Sequence, residues 1–184
     1  TCVVTLCQLG HRKTLEGLRE SLADPGRDAP TLNGYVRGAR WLAARPLLPV
    51  FTRMLATASL SSYTRSLILQ TMESWDLSQE PAAVAPLFAV LDRGSLTDAE
   101  AQRLGDLLVR SAAPANAATF IDMSRSGVTV MARTAARALR EIADRIEPAL
   151  QDPVASAFYT LLDSGDPSVE VCALLGLVRQ GDDY

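Results

Sequence analysis

Apolar residues recur at intervals of three and four positions along most of the chain, the spacing that places side chains on one face of an α-helix. The clearest stripes are Leu15, Leu18 and Leu22, then Leu87, Val90 and Leu91, and finally Met131, Ala135, Leu139 and Ile142. No stretch alternates apolar and polar residues in the manner of a half-buried strand. The pattern therefore predicts an all-α fold without strands.

The stripes divide the chain into five predicted pairs of helices. The first helices of the pairs are Arg12–Ala23, Pro46–Thr57, Pro81–Leu91, Pro114–Met123 and Pro148–Leu162. The second helices are Thr31–Ala44, Ser62–Trp75, Thr97–Ala112, Val128–Asp144 and Pro167–Val178. Two start signals support these bounds, because Thr97 and Glu100 form a capping box and Asp166 precedes a proline at a first helical position.

Two sets of markers repeat along the chain with one common period. Prolines that open first helices are separated by 35, 33 and 34 residues, at Pro46, Pro81, Pro114 and Pro148, and His11 lies 35 residues before the first of them. The turn within each pair recurs at nearly the same interval, at Asp24-Pro25-Gly26, Ser59-Leu60-Ser61, Arg93-Gly94, Ser126-Gly127 and Ser164-Gly165. The chain is therefore predicted to hold about five two-helix repeats, preceded by an apolar half repeat. We expect it to be part of a longer protein.

The amino-acid composition limits the class of protein and the kinds of functional site that the sequence predicts. Hydrophobic residues make up 48%, charged residues 21%, and the net charge is −3, which is typical of a globular domain. No apolar run is long enough to predict a membrane span. Three cysteines without a CxxC pair and a single histidine predict no zinc site and no cofactor, and they favour the reducing cytoplasm. Cys172 lies on an apolar stripe and is predicted to be a core residue. Lys13 is the only lysine among 18 basic residues, which together with abundant alanine indicates a GC-rich bacterial genome.

The second helices resemble those of HEAT repeats and of short HEAT-like repeats of the phycobilisome-lyase type. Such repeats have a turn, often Asp-Pro, then an aliphatic residue, a small residue four positions later and a leucine near position eight. The last unit has this order in Asp166-Pro167-Ser168-Val169, Ala173 and Gly176-Leu177, and the unit before it in Met131, Ala135 and Ala138-Leu139. Residues 95–109 fit loosely, and the first two units fit by period alone. The signatures of tetratricopeptide and ankyrin repeats are absent.

The resemblance implies one α-solenoid domain over residues 1–184, with an armadillo-like curved stack and second helices lining its concave face. HEAT-like proteins are mostly scaffolds that bind other proteins, and some bind nucleic acid or act as lyases or DNA glycosylases. We therefore expect a protein-binding scaffold. A nucleic-acid-binding or glycosylase-like protein is the alternative, although a net negative charge with one lysine counts against a basic groove.

Polar residues in repeat register provide the candidate binding residues. Two ladders one helical turn apart are predicted on the second helices, formed by Arg37, Gln70, Arg103 and Arg137 and by Arg40, Glu73, Asp106 and Arg140. The arginines and Gln70 are the candidate contacts for an acidic peptide or a phosphate, because guanidinium groups bind such oxygens in pairs. The alternative is that Arg40–Glu73 and Asp106–Arg140 are ion pairs between neighbouring repeats on a solvated face. Arg133 extends the basic stripe of Arg137 and Arg140.

Three further interpretations concern the apolar residues and catalysis. Trp41 and Trp75 are 34 residues apart and are followed in phase by Leu108 and Ile142, which predicts a core seam between repeats; a base-stacking platform is the alternative. No nucleophile and base converge in the sequence, so no catalytic residue is predicted. The last helix leaves Leu174, Leu175, Leu177 and Val178 close together, and an end repeat needs a polar outer face. We expect this end either to continue into further chain or to form a homo-oligomer.

Overall fold

A computed structural model of the chain describes residues 12–24, 26–41, 44–57, 60–75, 77, 81–92 and 96–181. These residues form ten α-helices and two one-turn 3₁₀ helices, and they contain no strand. The prediction of an all-α fold is therefore confirmed. None of the described helices combines the length and the apolar character that a membrane crossing requires.

The helices follow one another in pairs. The first five are α1 (Arg12–Ala23), α2 (Ala29–Ala39), α3 (Ala44–Leu55), α4 (Ser62–Met72) and α5 (Pro81–Asp92). The other five are α6 (Asp98–Arg110), α7 (Ala117–Ser124), α8 (Thr129–Ile142), α9 (Pro148–Leu162) and α10 (Pro167–Gln180). The 3₁₀ turns are Pro114–Asn116 before α7 and Ala143–Arg145 after α8.

Helix positions agree with the sequence pattern, and the main differences concern where second helices end. Pro81 and Pro148 begin their helices and Pro114 begins the 3₁₀ turn before α7, but Pro46 is the third residue of α3. The predicted helix Thr31–Ala44 is shorter as α2, because the Arg40 N–H bonds to the Arg37 carbonyl and the Trp41 N–H to the Gly38 carbonyl, which closes the last turn.

The turns between paired helices are described in full only in the later repeats. Gly127 and Gly165 have φ of 70° and 71°, which confirms the predicted Ser-Gly turns. Pro25, Ser59 and the Arg93-Gly94 turn lie outside the described residues, as do Cys2, Cys7 and His11. Cys172 is half-buried and packs against the core, so it is only partly a core residue.

The helices lie in two rows. The two helices of each pair contact one another, and each helix of the second row contacts the next one in that row, in the order α2, α4, α6, α8 and α10. In the first row α1 contacts α3, α3 contacts α5, α5 contacts the 3₁₀ turn before α7, and α7 contacts α9. The apolar core lies between the rows. It contains one phenylalanine from each of four first-row helices, Phe51, Phe88, Phe120 and Phe158.

Gly176 permits close packing of α9 against α10. A Cβ atom added at this buried residue would lie 2.2 Å from Cζ of Phe158, far inside normal contact. The Phe158 ring therefore occupies the space that any other side chain at position 176 would fill. The Gly-Leu pair of the HEAT-like pattern has a packing role in this helix pair.

A buried ion pair joins the second and third repeats. The Arg65 Nε atom lies 3.1 Å from both carboxylate oxygens of Glu100, and only 11% and 2% of the two side chains are exposed. Glu100 also accepts hydrogen bonds from the Ser62 hydroxyl and from the Thr97 N–H, which completes the predicted capping box. Burial acts to raise the pKa of Glu100, but the bonds from Thr97, Ser62 and Arg65 outweigh it and hold the pKa below its ordinary value of 4.5.

Replacing Gly176 with alanine should destabilise the chain by roughly 1–3 kcal/mol, because Phe158 must move to admit the methyl group. Gly34 is the matched control, since it is an exposed glycine within α2 with no atom within 4 Å of an added Cβ. Its replacement with alanine should stabilise the chain by about 0.5–1 kcal/mol. Urea denaturation measures both changes, and a neutral Gly176→Ala variant would contradict the packing argument.

The Arg65–Glu100 pair should make stability depend on pH. Because folding lowers the pKa of Glu100, the pair contributes its full stability above pH 4.5 and loses it as the pH falls through the folded-state value. Glu100→Gln should lower the free energy of unfolding at pH 7 by about 3 kcal/mol, since Arg65 stays buried without a carboxylate. Denaturation curves between pH 3 and pH 7 should then be flatter for the variant than for the wild type. Parallel curves would show that Glu100 is not the responsible group.

Candidate functional site

The candidate binding residues all lie along the second row of helices. Arg37 belongs to α2 and Arg40 follows its last residue, Gln70 belongs to α4, Arg103 to α6, and Arg137 and Arg140 to α8. Arg37, Arg40 and Gln70 are exposed, whereas the three later arginines are half-buried. The contacts of these residues differ between the earlier half of the row, α2 and α4, and the later half, α6 and α8.

In the later half, the arginines bind carboxylates of the preceding repeat. Arg103 forms a two-pronged ion pair with Glu73, with 3.0 Å from Nε to Oε1 and 3.1 Å from Nη2 to Oε2. Arg137 donates from Nη1 to Oδ1 of Asp106. Each of these positive charges is thereby balanced by an acid on the neighbouring helix.

These partners differ from the predicted ones. The alternative interpretation named the pairs Arg40–Glu73 and Asp106–Arg140. Glu73 instead pairs with Arg103 of the next second-row helix, and Asp106 pairs with Arg137, one turn before Arg140 in α8. Arg40 lies beyond the end of α2, where its guanidinium carbon is 5.9 Å from the centre of the Trp41 ring. Ion pairs between repeats are present, and the expected assignment of partners was wrong.

The predicted basic stripe of α8 is neutralised in the same way. The Arg133 Nε atom lies 2.7 Å from a carboxylate oxygen of Asp166, the residue that caps α10, and this arginine holds the pKa of Asp166 below its usual range. Arg140 donates to Glu141 at 2.7 Å and to the Cys172 sulfur at 3.7 Å. With Arg137 on Asp106, every arginine of the stripe has an acidic partner, so the stripe presents little net positive charge.

The earlier half of the row carries a different cluster, called here the Trp41 patch and formed by Arg37, Arg40, Trp41 and Tyr63. Arg37 donates a hydrogen bond from Nη2 to the Tyr63 hydroxyl, which ties α2 to α4. Trp41 is 67% exposed and Tyr63 is 56% exposed. Neither arginine of the patch forms an ion pair with any described carboxylate. Arg37 contacts the Tyr63 hydroxyl, and the Arg40 guanidinium lies over the Trp41 ring.

The two tryptophans have opposite environments although they are in phase. Trp75 is buried and stacks on Phe51 with ring centres 5.3 Å apart, which confirms it as a core residue; Leu108 and Ile142 are fully buried as well. The prediction for Trp41 was wrong. The residue one period before Phe51 is Gly17, which has no ring on which Trp41 could stack. The glycine at this position of the sequence, in place of an aromatic residue, could have indicated that Trp41 and Trp75 have different environments.

The described residues contain no group of side chains placed as metal ligands. No group of three or more His, Cys, Asp or Glu side chains among them converges as metal ligands do. A cavity of about 580 Å³ lies where the α7–α8 and α9–α10 turns meet. Its charged residues are already paired, Arg133 with Asp166 and Arg125 with Asp122, so they leave no free acid or base there.

Comparisons of the chain with protein-family models, curated proteins and solved structures find no match. The likeness to HEAT-like repeats therefore stays a resemblance carried by the repeat pattern. Function has to be argued from the surface of this chain alone.

The in-phase tryptophans provide a direct test of these environments. Trp75→Ala should lower the free energy of unfolding by about 3–5 kcal/mol, because it removes a buried ring and the stack on Phe51. Trp41→Ala should change it by no more than about 0.5 kcal/mol, as is usual for an exposed side chain. Denaturant titration of both variants measures the difference, and equal losses would contradict it.

Proposed function

We propose that the chain is a HEAT-like α-solenoid that scaffolds a partner protein on the face formed by its second helices. Two rows of helices in which each contacts its neighbour along the row are the arrangement that such stacks use. In that architecture second helices line the concave face. The cytoplasm is the proposed compartment, because the three cysteines form no CxxC pair.

The Trp41 patch carries this proposal. Tryptophan, tyrosine and arginine are the residues most enriched at energetic centres of protein interfaces. The patch places all three types on α4, on α2 and on the two residues that follow α2, and it leaves both rings largely exposed. Arg103, Arg133 and Arg137 are held in ion pairs between neighbouring helices of the row, which favours the earlier half for docking. Gln70, exposed on the same row, extends the patch as a neutral hydrogen-bonding residue.

The partner is proposed to present an acidic segment with apolar side chains. Arg37 and Arg40 carry charges that no described acid balances, and guanidinium groups bind carboxylates through paired hydrogen bonds. The rings of Trp41 and Tyr63 offer apolar area beside these charges. A peptide rich in Asp and Glu with interspersed Phe and Leu meets both requirements.

Single-stranded nucleic acid is the second candidate, because an exposed tryptophan beside arginines is suited to stacking on bases. Its phosphates need a continuous basic groove. A net charge of −3 and the ion pairs of Arg103 and Arg137 oppose such a groove. The acidic peptide is therefore the favoured ligand, and a glycosylase-like activity has no supporting residues.

Fluorescence anisotropy with a labelled acidic peptide of this composition tests the proposal. The wild-type chain should bind it, and Arg37→Glu combined with Arg40→Glu should weaken binding at least about tenfold while leaving thermal melting unchanged. Arg19→Glu combined with Arg110→Glu is the matched control, since both arginines are exposed, lie outside the patch and change the net charge equally. This control should bind nearly as well as the wild type.

Two results would decide against this assignment. Equal weakening by the two double variants would mean that overall charge, and not the patch, attracts the peptide. Tighter binding of a single-stranded oligonucleotide than of the acidic peptide, lost on Trp41→Ala, would favour the nucleic-acid alternative.

A further inference from the structure

Another cavity, of about 310 Å³, lies between the first two helix pairs, where the α1–α2 and α3–α4 turns meet. Its volume is at the lower end of the range in which proteins bind small molecules, roughly 300–1,000 Å³. Four apolar residues of its wall belong to the buried core, Leu22, Leu32, Val50 and Met54. The cavity therefore offers an apolar interior to the hydrocarbon part of a ligand.

Some polar side chains of the cavity wall are already bound to neighbouring groups. Asp24 accepts a hydrogen bond from the Gly26 N–H at 2.9 Å through one carboxylate oxygen and from Arg27 at 3.3 Å through the other. Thr57 donates its hydroxyl hydrogen to the Arg53 carbonyl. The carboxylate of this wall is thus balanced by an arginine of the same wall.

The polar groups of the wall that have no partner are hydrogen-bond donors. The exposed Arg53 guanidinium forms no ion pair or hydrogen bond with any described residue. The Ser61 and Thr64 hydroxyl oxygens lie 2.8 Å apart, so one hydroxyl donates to the other and the second hydrogen has no acceptor among the described residues. Thr64 is only 1% exposed, which places a hydroxyl in the buried part of the wall.

Two acidic residues close to Arg53 do not neutralise it. Glu16 and Glu20 of α1 line a neighbouring groove between α1 and α3 that Arg53 also borders. Neither carboxylate lies within ion-pair distance of the Arg53 guanidinium. The guanidinium is therefore available to a ligand that enters the cavity.

We propose that this cavity binds a small monocarboxylate with an apolar body, such as a medium-chain fatty acid. An ionised carboxylate only accepts hydrogen bonds, and the Arg53 guanidinium and the spare hydroxyl hydrogen of Ser61 or Thr64 are the donors that it needs. At roughly 30 Å³ per water the cavity has the volume of about ten waters, which suits a body of the size of octanoate.

The charge of the wall favours a carboxylate over a phosphate. Arg27 and Arg53 against Asp24 leave the wall with one unbalanced positive charge, which a monocarboxylate neutralises. A phosphate monoester carries about −1.5 to −2 near neutral pH and would bring excess negative charge beside buried apolar residues. The site lies at the start of α2, whereas Trp41 follows its end, and it stands independently of the acidic peptide proposed for the Trp41 patch.

Methyl NMR spectra of the labelled chain, recorded with increasing octanoate, test the location of the site. Saturating octanoate should shift the methyl signals of Leu22, Leu32, Val50 and Met54, which line the cavity. The signal of Leu139, a buried residue of α8, should not move. The same titration gives the affinity of each variant.

Arg53→Met removes the charge and keeps an unbranched side chain. It should weaken octanoate binding at least about tenfold, because a charge-assisted hydrogen bond is lost, and it should leave the binding of neutral octanol unchanged. Arg110→Met is the matched control, since Arg110 is an exposed arginine outside the cavity, and it should bind octanoate like the wild type. Ala29→Leu, at an exposed position of the cavity wall, should weaken both ligands by filling the space. Thermal melting verifies that each variant is folded.

Three results would overturn the proposal. No methyl shifts with millimolar octanoate, or shifts confined to Leu48 and Val90 in the groove on the other side of α3, would remove the site. Equal octanoate affinity of the Arg53→Met and Arg110→Met variants would show that the guanidinium does not hold the ligand. Octanol that binds the wild type as tightly as octanoate would rule out a carboxylate as the recognised group.

Discussion

Contact between each helix and its neighbour along the same row is the constraint on which the structure depends. A two-helix unit of about 34 residues cannot bury an apolar face by itself, so each unit relies on the next one to cover it. Phe51, Phe88, Phe120 and Phe158 fill the space between the rows in successive units. Gly176 shows how closely this packing fits, because the Phe158 ring occupies the place of its missing side chain.

Polar contacts follow the same rule of neighbour with neighbour. Arg65 with Glu100, Arg103 with Glu73, Arg137 with Asp106 and Arg133 with Asp166 each join one second-row helix to the next. The first is deeply buried, and its loss would leave a charge in the interior; the others are more exposed and contribute less. Four arginines of the row thereby join neighbouring helices, whereas Arg37 and Arg40 of the Trp41 patch form no ion pair with a described carboxylate.

The local pattern of apolar and polar residues determined the helices, their period and most of the core. Helical spacing, capping residues such as Thr97 and the Ser-Gly turns all act within a few residues of the chain. The sequence also indicated an exposed apolar cluster at Leu174, Leu175, Leu177 and Val178, but Leu177 is buried and Val171 is exposed instead. Only the tertiary structure determined which acidic residue each arginine contacts, because this contact depends on how far neighbouring helices are shifted along their axes. It also separated Trp41 from Trp75: the phase of the two residues is the same, but α2 ends before Trp41 and Gly17 provides no ring to cover it, so only Trp75 is buried.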